Sequence, residues 1–207
     1  DTGKSMHDAE GDSIVDFNRA GVPLMELVTE PVIHDAETAG KFGKELQLLL
    51  RTLGVSEANM ERGEMRVEAN LSISADNSLG TKVEIKNLNS FRSMEAAIAY
   101  EIERQTKVLE EGGEVQSQTL GWDEEKKRTY TQRSKETAED YRYFPDPDIP
   151  KYKLSEIPEF NISRLSEKLP ELPTETRDYL VSLGLNEEKV EILVNDANLL
   201  SYFKSTT

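Results

Sequence analysis

The sequence predicts an α+β protein: a largely antiparallel sheet with crossover helices, followed by the beginning of an all-helical domain. Over residues 65–86, apolar and polar side chains alternate with the period of two that is typical of strands with one buried face. After about residue 158, short helical patterns separated by Pro, Gly and Asn replace the strands. We therefore expect one domain over residues 1–157 and a second, incomplete one over residues 158–207.

Composition narrows the class of protein. Of the 207 residues, 36% are hydrophobic and 31% are charged, which is typical of a chain with a packed core and not of a disordered one. No apolar run approaches the roughly 20 residues of a membrane span. The net charge of −15 disfavours non-specific DNA binding, so an RNA partner would need local basic groups or another part of the molecule. The chain begins at Asp1 in mid-motif, and we expect it to be an internal fragment.

The first 35 residues contain one unusual carboxylate. Residues 1–13 are rich in Gly, Asp and Ser and predict a loop, whereas residues 23–31 predict a short strand bounded by two prolines. Glu26 has apolar neighbours on both faces of that strand. A buried carboxylate is costly unless it is paired, protonated or bound to a metal such as Mg²⁺. A salt bridge or a position near the strand edge is the alternative.

Two amphipathic helices are predicted, each with a capping residue at its start. Asp35 caps the first helix and Gly54 follows its end. Ser90 caps the second helix, which ends before Gly112. The predicted apolar stripes are Ala39, Phe42, Leu46, Leu49, Leu50 and Leu53 for the first helix, and Phe91, Met94, Ile98, Ile102 and Leu109 for the second.

Strands are predicted over residues 65–73 and 81–86, and again over residues 114–122 and 128–134. Pairing residue 73 with residue 81 places two polar pairs opposite each other on one face: Glu68 with Lys86, and Asn70 with Glu84. This charged face is either an ordinary solvated surface or a wall of a site for phosphate, metal and carboxylate. Residues 140–150, with three prolines, predict neither a helix nor a central strand.

Five segments together resemble one known family. GEMRVEANLS, VEIKNLNSF, YEIERQ and EDYRYFPDPDIP are similar to signature segments of the B subunit of the tRNA-dependent aspartyl/glutamyl amidotransferase, and LPELPTETRDYLVSLGL resembles the start of that family's helical domain. The resemblance extends over essentially the whole chain. It implies a kinase-like cradle for the sheet domain.

The resemblance also implies a reaction and its partners. Members of the family phosphorylate the side-chain carboxylate of glutamyl-tRNA(Gln) or aspartyl-tRNA(Asn) with ATP and Mg²⁺, and ammonia then displaces the phosphate. The amidase (glutaminase) partner, called the A subunit, releases that ammonia from glutamine, and the small C subunit wraps the assembly. Phosphorylation gives the carboxylate a leaving group, and cationic groups neutralise the charge that gathers during transfer.

Site residues are carried over by position. Glu26 matches a carboxylate that holds Mg²⁺ in the family, and Glu68 and Glu84 match acidic positions near that metal. The resemblance thus predicts Glu26, Glu68 and Glu84 as metal ligands. We predict Lys4, Glu26 and Lys86 as catalytic residues, although Lys4 lies outside any GxxxxGK[ST] phosphate loop. The predicted substrate-binding residues are His7, Arg66, Asn70, Asn87, Asn89 and Arg142.

The resemblance further implies that parts of the site lie elsewhere. Further metal ligands precede Asp1 and the region that grips the misacylated tRNA follows Thr207, so we expect the isolated chain to be inactive. Bacterial cytoplasm and an organellar matrix or stroma both fit. Two other functions stay open: an acidic α+β scaffold that binds a protein partner, and a module that only positions tRNA.

Overall fold

The computed structural model describes residues 4–7, 12–76, 78–134 and 148–206. Its contacts divide the chain into two units, residues 1–33 and residues 34–207. In the first unit, β1 (Lys4–His7) and β2 (Ser13–Asp16) form an antiparallel hairpin. The prediction of a loop over residues 1–13 is therefore wrong at β1 and at Ser13, where β2 begins.

The prediction of a strand over residues 23–31 is also wrong. Those residues have no regular secondary structure, and Leu24 and Val28 are 75% and 76% exposed. Glu26 is exposed as well, so the cost of burying a carboxylate does not apply to it. An apolar run becomes a strand only when another strand takes its backbone hydrogen bonds, and a local pattern does not show whether such a partner exists.

A four-stranded sheet forms the centre of the second unit. Its strands are β3 (Val67–Leu71), β4 (Val83–Leu88), β5 (Gln118–Asp123) and β6 (Arg128–Ser134), paired in that order. The β3–β4 and β5–β6 pairs are antiparallel. The β4–β5 pair is parallel, and the long connection between the two strands, which contains a helix, provides the crossover that parallel neighbours need. This mixed, mostly antiparallel sheet agrees with the α+β prediction.

The predicted register of the first strand pair is confirmed up to a bulge. Asn70 pairs with Glu84, as expected, but Val67 pairs with Leu88 because β4 contains one extra residue between the two positions. Asn87 lies at this bulge with a φ of 60°, in the left-handed region that Asn tolerates better than most residues. Glu68 therefore lies opposite both Lys86 and Asn87, and not opposite Lys86 alone.

Both amphipathic helices begin at the predicted caps. In α1 (Ala36–Thr52) the Asp35 side chain accepts a hydrogen bond from the Thr38 N–H, and in α2 (Phe91–Glu110) Ser90 accepts one from the Ser93 N–H. These bonds satisfy backbone donors that a helix start leaves unpaired. The helix boundaries are thus confirmed.

The buried faces of these helices differ from the predicted stripes. On α1 the buried positions are Ala39, Gly40 and Gly43, whereas Phe42 is 39% exposed. A Cβ atom at Gly43 would lie 2.7 Å from the Phe91 ring of α2. The two helices therefore pack through small residues, which hydrophobicity alone does not identify.

Helix α2 separates the sheet from α1. Val83 and Leu120 of the sheet form a buried cluster with Val115, and Val108 of α2 packs against it. On its other side α2 packs against α1. The second unit is therefore layered as sheet, α2 and α1.

Four α-helices follow in the last part of the chain: α3 (Ile162–Ser166), α4 (Pro173–Ser182), α5 (Glu187–Asn195) and α6 (Ala197–Thr206). Leu180 of α4 and Val190, Leu193 and Val194 of α5 form a buried core, and Leu48 of α1 packs against it. Arg177 of α4 donates two hydrogen bonds of 2.8 Å to the Glu45 carboxylate of α1. The division expected at residue 157 stays a prediction, since contacts join these helices to α1. Among the helices of the described residues, none is long and apolar enough to span a membrane.

Candidate functional site

The central sheet has two chemically different faces. Val83 and Ile85 of β4 are fully buried on the face that α2 covers. Because side chains alternate along a strand, Glu84 and Lys86 lie on the opposite face. Asn70 of β3 and Thr119 of β5 pair with Glu84 and share that face. We call this second face the polar face.

Three charged side chains meet on the polar face. The Lys86 Nζ atom lies 3.3 Å from Glu68 Oε2 and 3.4 Å from Glu84 Oε1. The side chains of Glu68 and Lys86 are 46% and 36% exposed, whereas that of Glu84 is only 16% exposed. The structure thus brings together three of the predicted site residues, and we call them the ion triad.

Thr119 holds the least exposed member of the triad. Its hydroxyl donates a hydrogen bond of 3.1 Å to Glu84 Oε2. Thr119 is not among the predicted site residues, because it reaches Glu84 through the parallel β4–β5 pairing. The two residues are 35 positions apart, and no local sequence pattern reports that pairing.

The triad keeps Lys86 positively charged. Partial burial by itself lowers the pKa of Lys86, but the charges of Glu68 and Glu84 outweigh it and raise the pKa above its ordinary value. The polar face therefore presents an ammonium between two carboxylates. Such a group can bind both the anionic and the cationic end of a zwitterionic ligand.

A complete magnesium site is not formed by the described residues. Within residues 4–7, 12–76, 78–134 and 148–206, no group of three His, Cys, Asp or Glu side chains is arranged to hold a metal ion. Glu68 and Glu84 direct oxygen atoms at Lys86, and Glu26 belongs to the other unit. The donor set that the structure describes does not fit Mg²⁺ on its own.

The other predicted residues that the structure describes lie in different places, and Asn87 lies opposite Glu68 of the triad. Arg66 is exposed just before β3, and Asn87 is exposed at the bulge. Asn89 lies at the start of α2, where it lines a cleft of about 300 Å³ with Arg51 and Asn59. Three further predictions fall outside what is described: the side chains of Lys4 and His7, which lie in β1 of the first unit, and residue Arg142.

A second polar cluster lies on the other face of the sheet and was not predicted. Glu101 of α2 is 0% exposed and accepts hydrogen bonds from Arg104 Nε and Nη2 (both 2.8 Å), Gln105 Nε2 (3.1 Å) and Thr129 Oγ1 of β6 (2.6 Å). Burial raises the pKa of Glu101, but these hydrogen bonds outweigh it and leave the pKa below its ordinary value. Gln105 is 0% exposed too, and its Oε1 atom has no hydrogen-bond partner among the described residues.

Sequence spacing contains a signal for this cluster. Met94 and Ile98 are buried, and the same helical face continues through Glu101 and Gln105 at intervals of three and four residues. The predicted stripe instead continued through Ile102 and Leu109, and Leu109 is 38% exposed. A stripe built only from apolar residues overlooks carboxylates and amides that are buried with partners.

Comparisons with known proteins identify the family of the chain. The family model described as the GatB/GatE catalytic domain matches residues 1–158. The B subunit of the aspartyl/glutamyl-tRNA(Asn/Gln) amidotransferase of Herpetosiphon aurantiacus is 46% identical over 208 aligned residues, which cover 99% of this chain and 42% of that protein. Proteins of the same name from Thermus thermophilus and Persephonella marina are each 44% identical, over 98% and 99% of this chain and 42% and 43% of their own lengths.

The chain thus spans less than half the length of the curated relatives it matches. The family model nevertheless covers well over half of the chain, and the similarity to these relatives extends almost from end to end. The chain belongs to the GatB/GatE catalytic domain family.

Proposed function

We propose that this chain is the catalytic part of a B subunit that amidates the side-chain carboxylate of a misacylated tRNA. The match of the family model to residues 1–158 carries the proposal, because that stretch contains the hairpin, the whole central sheet and the ion triad. The relatives are named for aspartyl and glutamyl-tRNA(Asn/Gln), and we extend both substrates to this chain. The substrate carboxylate is a poor electrophile until an oxygen becomes part of a leaving group.

The reaction that we propose has two transfers. The γ-phosphoryl group of ATP moves to an oxygen of the substrate's side-chain carboxylate, which leaves ADP and an acyl phosphate. The nitrogen of ammonia then attacks the carbonyl carbon, the bond from carbon to the phosphate oxygen breaks, and amide, phosphate and a proton result. ATP enters such transfers as its Mg²⁺ complex. We derive no step through the metal, since the described residues do not complete a site for it.

Lys86 has a defined task in this proposal. Its ammonium, held by Glu68 and Glu84, is the fixed positive charge that pairs with the substrate's side-chain carboxylate before transfer. A cation that is already oriented needs no rearrangement when negative charge gathers on the transferred group. Thr119 supports this arrangement by holding Glu84.

The proposal includes partners and a compartment. We propose that an amidase (glutaminase) partner, the A subunit, supplies the ammonia, that the small C subunit joins the complex, and that regions beyond the described residues grip the tRNA. The net charge of −15 supports the last point, because so acidic a chain repels RNA at long range. We propose a bacterial cytoplasm or an organellar matrix or stroma as the compartment. We also propose that residues 1–157 belong to a cradle domain and that residues 158–207 begin a helical domain.

The test measures ATP-dependent conversion of glutamyl-tRNA(Gln) to glutaminyl-tRNA(Gln) by the full-length protein in complex with its A and C subunits. We expect conversion with the wild type, none without ATP, and none from the isolated 207-residue chain. Glu26→Gln tests the proposed metal ligand in the same assay. We expect it to lose conversion while the glutaminase activity of its partner is retained.

The alternatives give different results in that assay. Equal rates for Glu26→Gln and wild type would assign Glu26 no part in catalysis and would leave the reaction in place. A full complex that binds misacylated tRNA but releases no phosphate from ATP would support a tRNA-positioning module. A complex that neither binds nucleotide nor converts tRNA would support an acidic scaffold.

A further inference from the structure

A tyrosine ring lies across the polar face, and a glycine makes room for it. Gly121 of β5 pairs with Tyr130 of β6. A Cβ atom at Gly121 would lie 2.5 Å from Cζ and 2.6 Å from Oη of Tyr130, closer than real Cβ atoms approach other atoms. The phenol end of the ring therefore occupies the space above the backbone of Gly121. Any larger residue at position 121 would push the ring away.

This position brings the ring toward the ion triad. Gly121 also pairs with Lys86 on the other side of β5, so all three residues share the polar face. Neighbouring strands are roughly 4.8 Å apart. Because the Tyr130 ring leans over β5, its phenol end lies about one strand spacing from the backbone of Lys86. Tyr130 is 47% exposed, so a large part of the ring is open to a ligand.

The side-chain amide of Gln132 lies beside the Tyr130 ring. Gln132 Nε2 lies 3.4 Å from Tyr130 Oη and would lie 2.7 Å from a Cβ atom at Gly121. An exposed aromatic ring held on a sheet is the platform on which proteins stack the bases of single-stranded nucleic acids. A glutamine amide matches the donor and acceptor pattern along one edge of adenine. Ring and amide together are suited to a purine with an exocyclic amine.

The charges of the triad indicate which chemical group is attached to the purine nucleoside. Glu68, Glu84 and Lys86 provide two negative charges and one positive charge in one place. An aminoacyl group with an acidic side chain carries an α-ammonium for the carboxylates and a carboxylate for Lys86. The triad therefore complements an aspartyl or glutamyl group that is attached to a nucleoside.

We propose that Tyr130 and Gln132 bind the terminal adenosine of the aminoacyl-tRNA, with its aminoacyl group directed at the ion triad. This inference rests on the proposed function and deepens it, since it assigns a subsite for the 3′ end of the tRNA. The adenine stacks on Tyr130, and the neighbouring Lys86 binds the side-chain carboxylate of the aminoacyl group. The adenine of ATP binds elsewhere.

The test uses a stable probe, adenosine with a glutamyl group joined through a 3′-amide, and measures its Kd for the full-length protein by calorimetry. We expect Tyr130→Ala to weaken probe binding by roughly tenfold, as is typical for loss of one stacking ring, and to leave the Kd of ADP unchanged. Gly121→Ala, which retains Tyr130 but displaces its ring, is expected to weaken probe binding as well. Tyr130→Phe is expected to bind the probe more tightly than Tyr130→Ala. The matched control is Tyr152→Ala, which removes another exposed tyrosine.

Three outcomes would overturn the proposal. One is an unchanged Kd of the probe in both Tyr130→Ala and Gly121→Ala, with the unfolding midpoints of the variants near that of the wild type. Another is equal weakening of ADP and probe, which would assign the ring to ATP. The third is equal weakening by Tyr152→Ala. Because the binding assay needs no turnover, a complex that does not amidate tRNA counts against the proposed function and not against the adenosine platform.

Discussion

The two faces of the central sheet each contain carboxylates paired with cations, and they differ in burial. On the face that α2 covers, Glu101 is 0% exposed and accepts four hydrogen bonds from side chains. On the polar face, Glu68 and Lys86 of the ion triad are 46% and 36% exposed, and the Lys86 Nζ atom lies 3.3 Å from Glu68 Oε2. The same residue types therefore occur in a closed cluster and in an open one.

The difference separates structural from functional chemistry. Glu101 of α2 accepts a hydrogen bond from Thr129 of β6 and is 0% exposed, so it joins the helix to the sheet and is closed to a ligand. Removing one partner of a buried charge is strongly destabilising. An exposed ion pair contributes little to stability, so Lys86 can exchange the exposed Glu68 for the carboxylate of a substrate at low cost. We expect substitutions in the first cluster to change folding and substitutions in the second to change activity.

The largest effect is expected at Lys86. Lys86→Met removes the positive charge that pairs with the substrate carboxylate, and we expect amidation by the full complex to fall by at least roughly 100-fold. The free energy of unfolding should fall by only about 1 kcal/mol, because the Lys86–Glu68 pair is open to water and Glu84 keeps its hydrogen bond from Thr119. Steady-state amidation and urea unfolding measure the two quantities. Lys82→Met, at an exposed position before β4, is the matched control, and an active Lys86→Met variant would remove Lys86 from the mechanism.

Next in size is the effect expected at Glu101. Glu101→Ala leaves the Arg104 guanidinium and two further donors without their acceptor, and we expect the free energy of unfolding to fall by about 3 kcal/mol. Glu103→Ala on the exposed face of the same helix should change it by less than about 0.5 kcal/mol. Urea unfolding of the full-length protein measures both. Equal effects of the two substitutions would contradict the structural role of the buried cluster.

A pH dependence should mark the buried cluster specifically. The pKa of Glu101 in the folded protein lies below its ordinary value of 4.5, because hydrogen bonds led by those of Arg104 outweigh the effect of burial. A lowered pKa means that the carboxylate stabilises the fold fully above about pH 4.5, and that this contribution is lost as the pH falls further. We expect the difference in unfolding free energy between wild type and Glu101→Gln to shrink below about pH 4.5. A difference that stays constant down to about pH 3 would show that the charge of Glu101 does not contribute.

The smallest effect is expected at the bulge beside the triad. Asn87 has a φ of 60°, which costs Ala about 1 kcal/mol more than Gly. Asn87→Ala should therefore be less stable than Asn87→Gly by about 1 kcal/mol in thermal or urea unfolding. Equal stabilities would mean that the bulge relaxes when the residue changes, and that it does not fix the position of Lys86.

Much of the local structure follows from the sequence. Asp35 and Ser90 begin α1 and α2 as predicted, because a short polar side chain in front of an apolar stripe satisfies the unpaired N–H groups of a helix start. The pairing of Asn70 with Glu84 was also predictable, since the alternation of both strands leaves few registers with one buried face. Three members of the candidate site follow from that register: Glu68, Glu84 and Lys86.

The failures have a common cause. The run around Glu26 has the composition of a strand, but within the described residues it has no paired strand and its side chains are exposed. Glutamate is usually found at the protein surface, but Glu101 is buried because Arg104 and Thr129 donate hydrogen bonds to it. Whether a segment becomes a strand, or a carboxylate is buried, depends on neighbouring groups that a short stretch of sequence does not identify.

The sequence by itself determined the class of fold, the helix starts, the register of β3 with β4 and, through resemblance, the family. Only the tertiary structure decided which carboxylates are buried, that Thr119 reaches Glu84 across the parallel pair, and that Gly121 lets Tyr130 lie toward Lys86. The physical reason is that caps and alternation act over a few residues of one segment. Burial and cross-strand contacts depend on segments that meet only after the chain has folded.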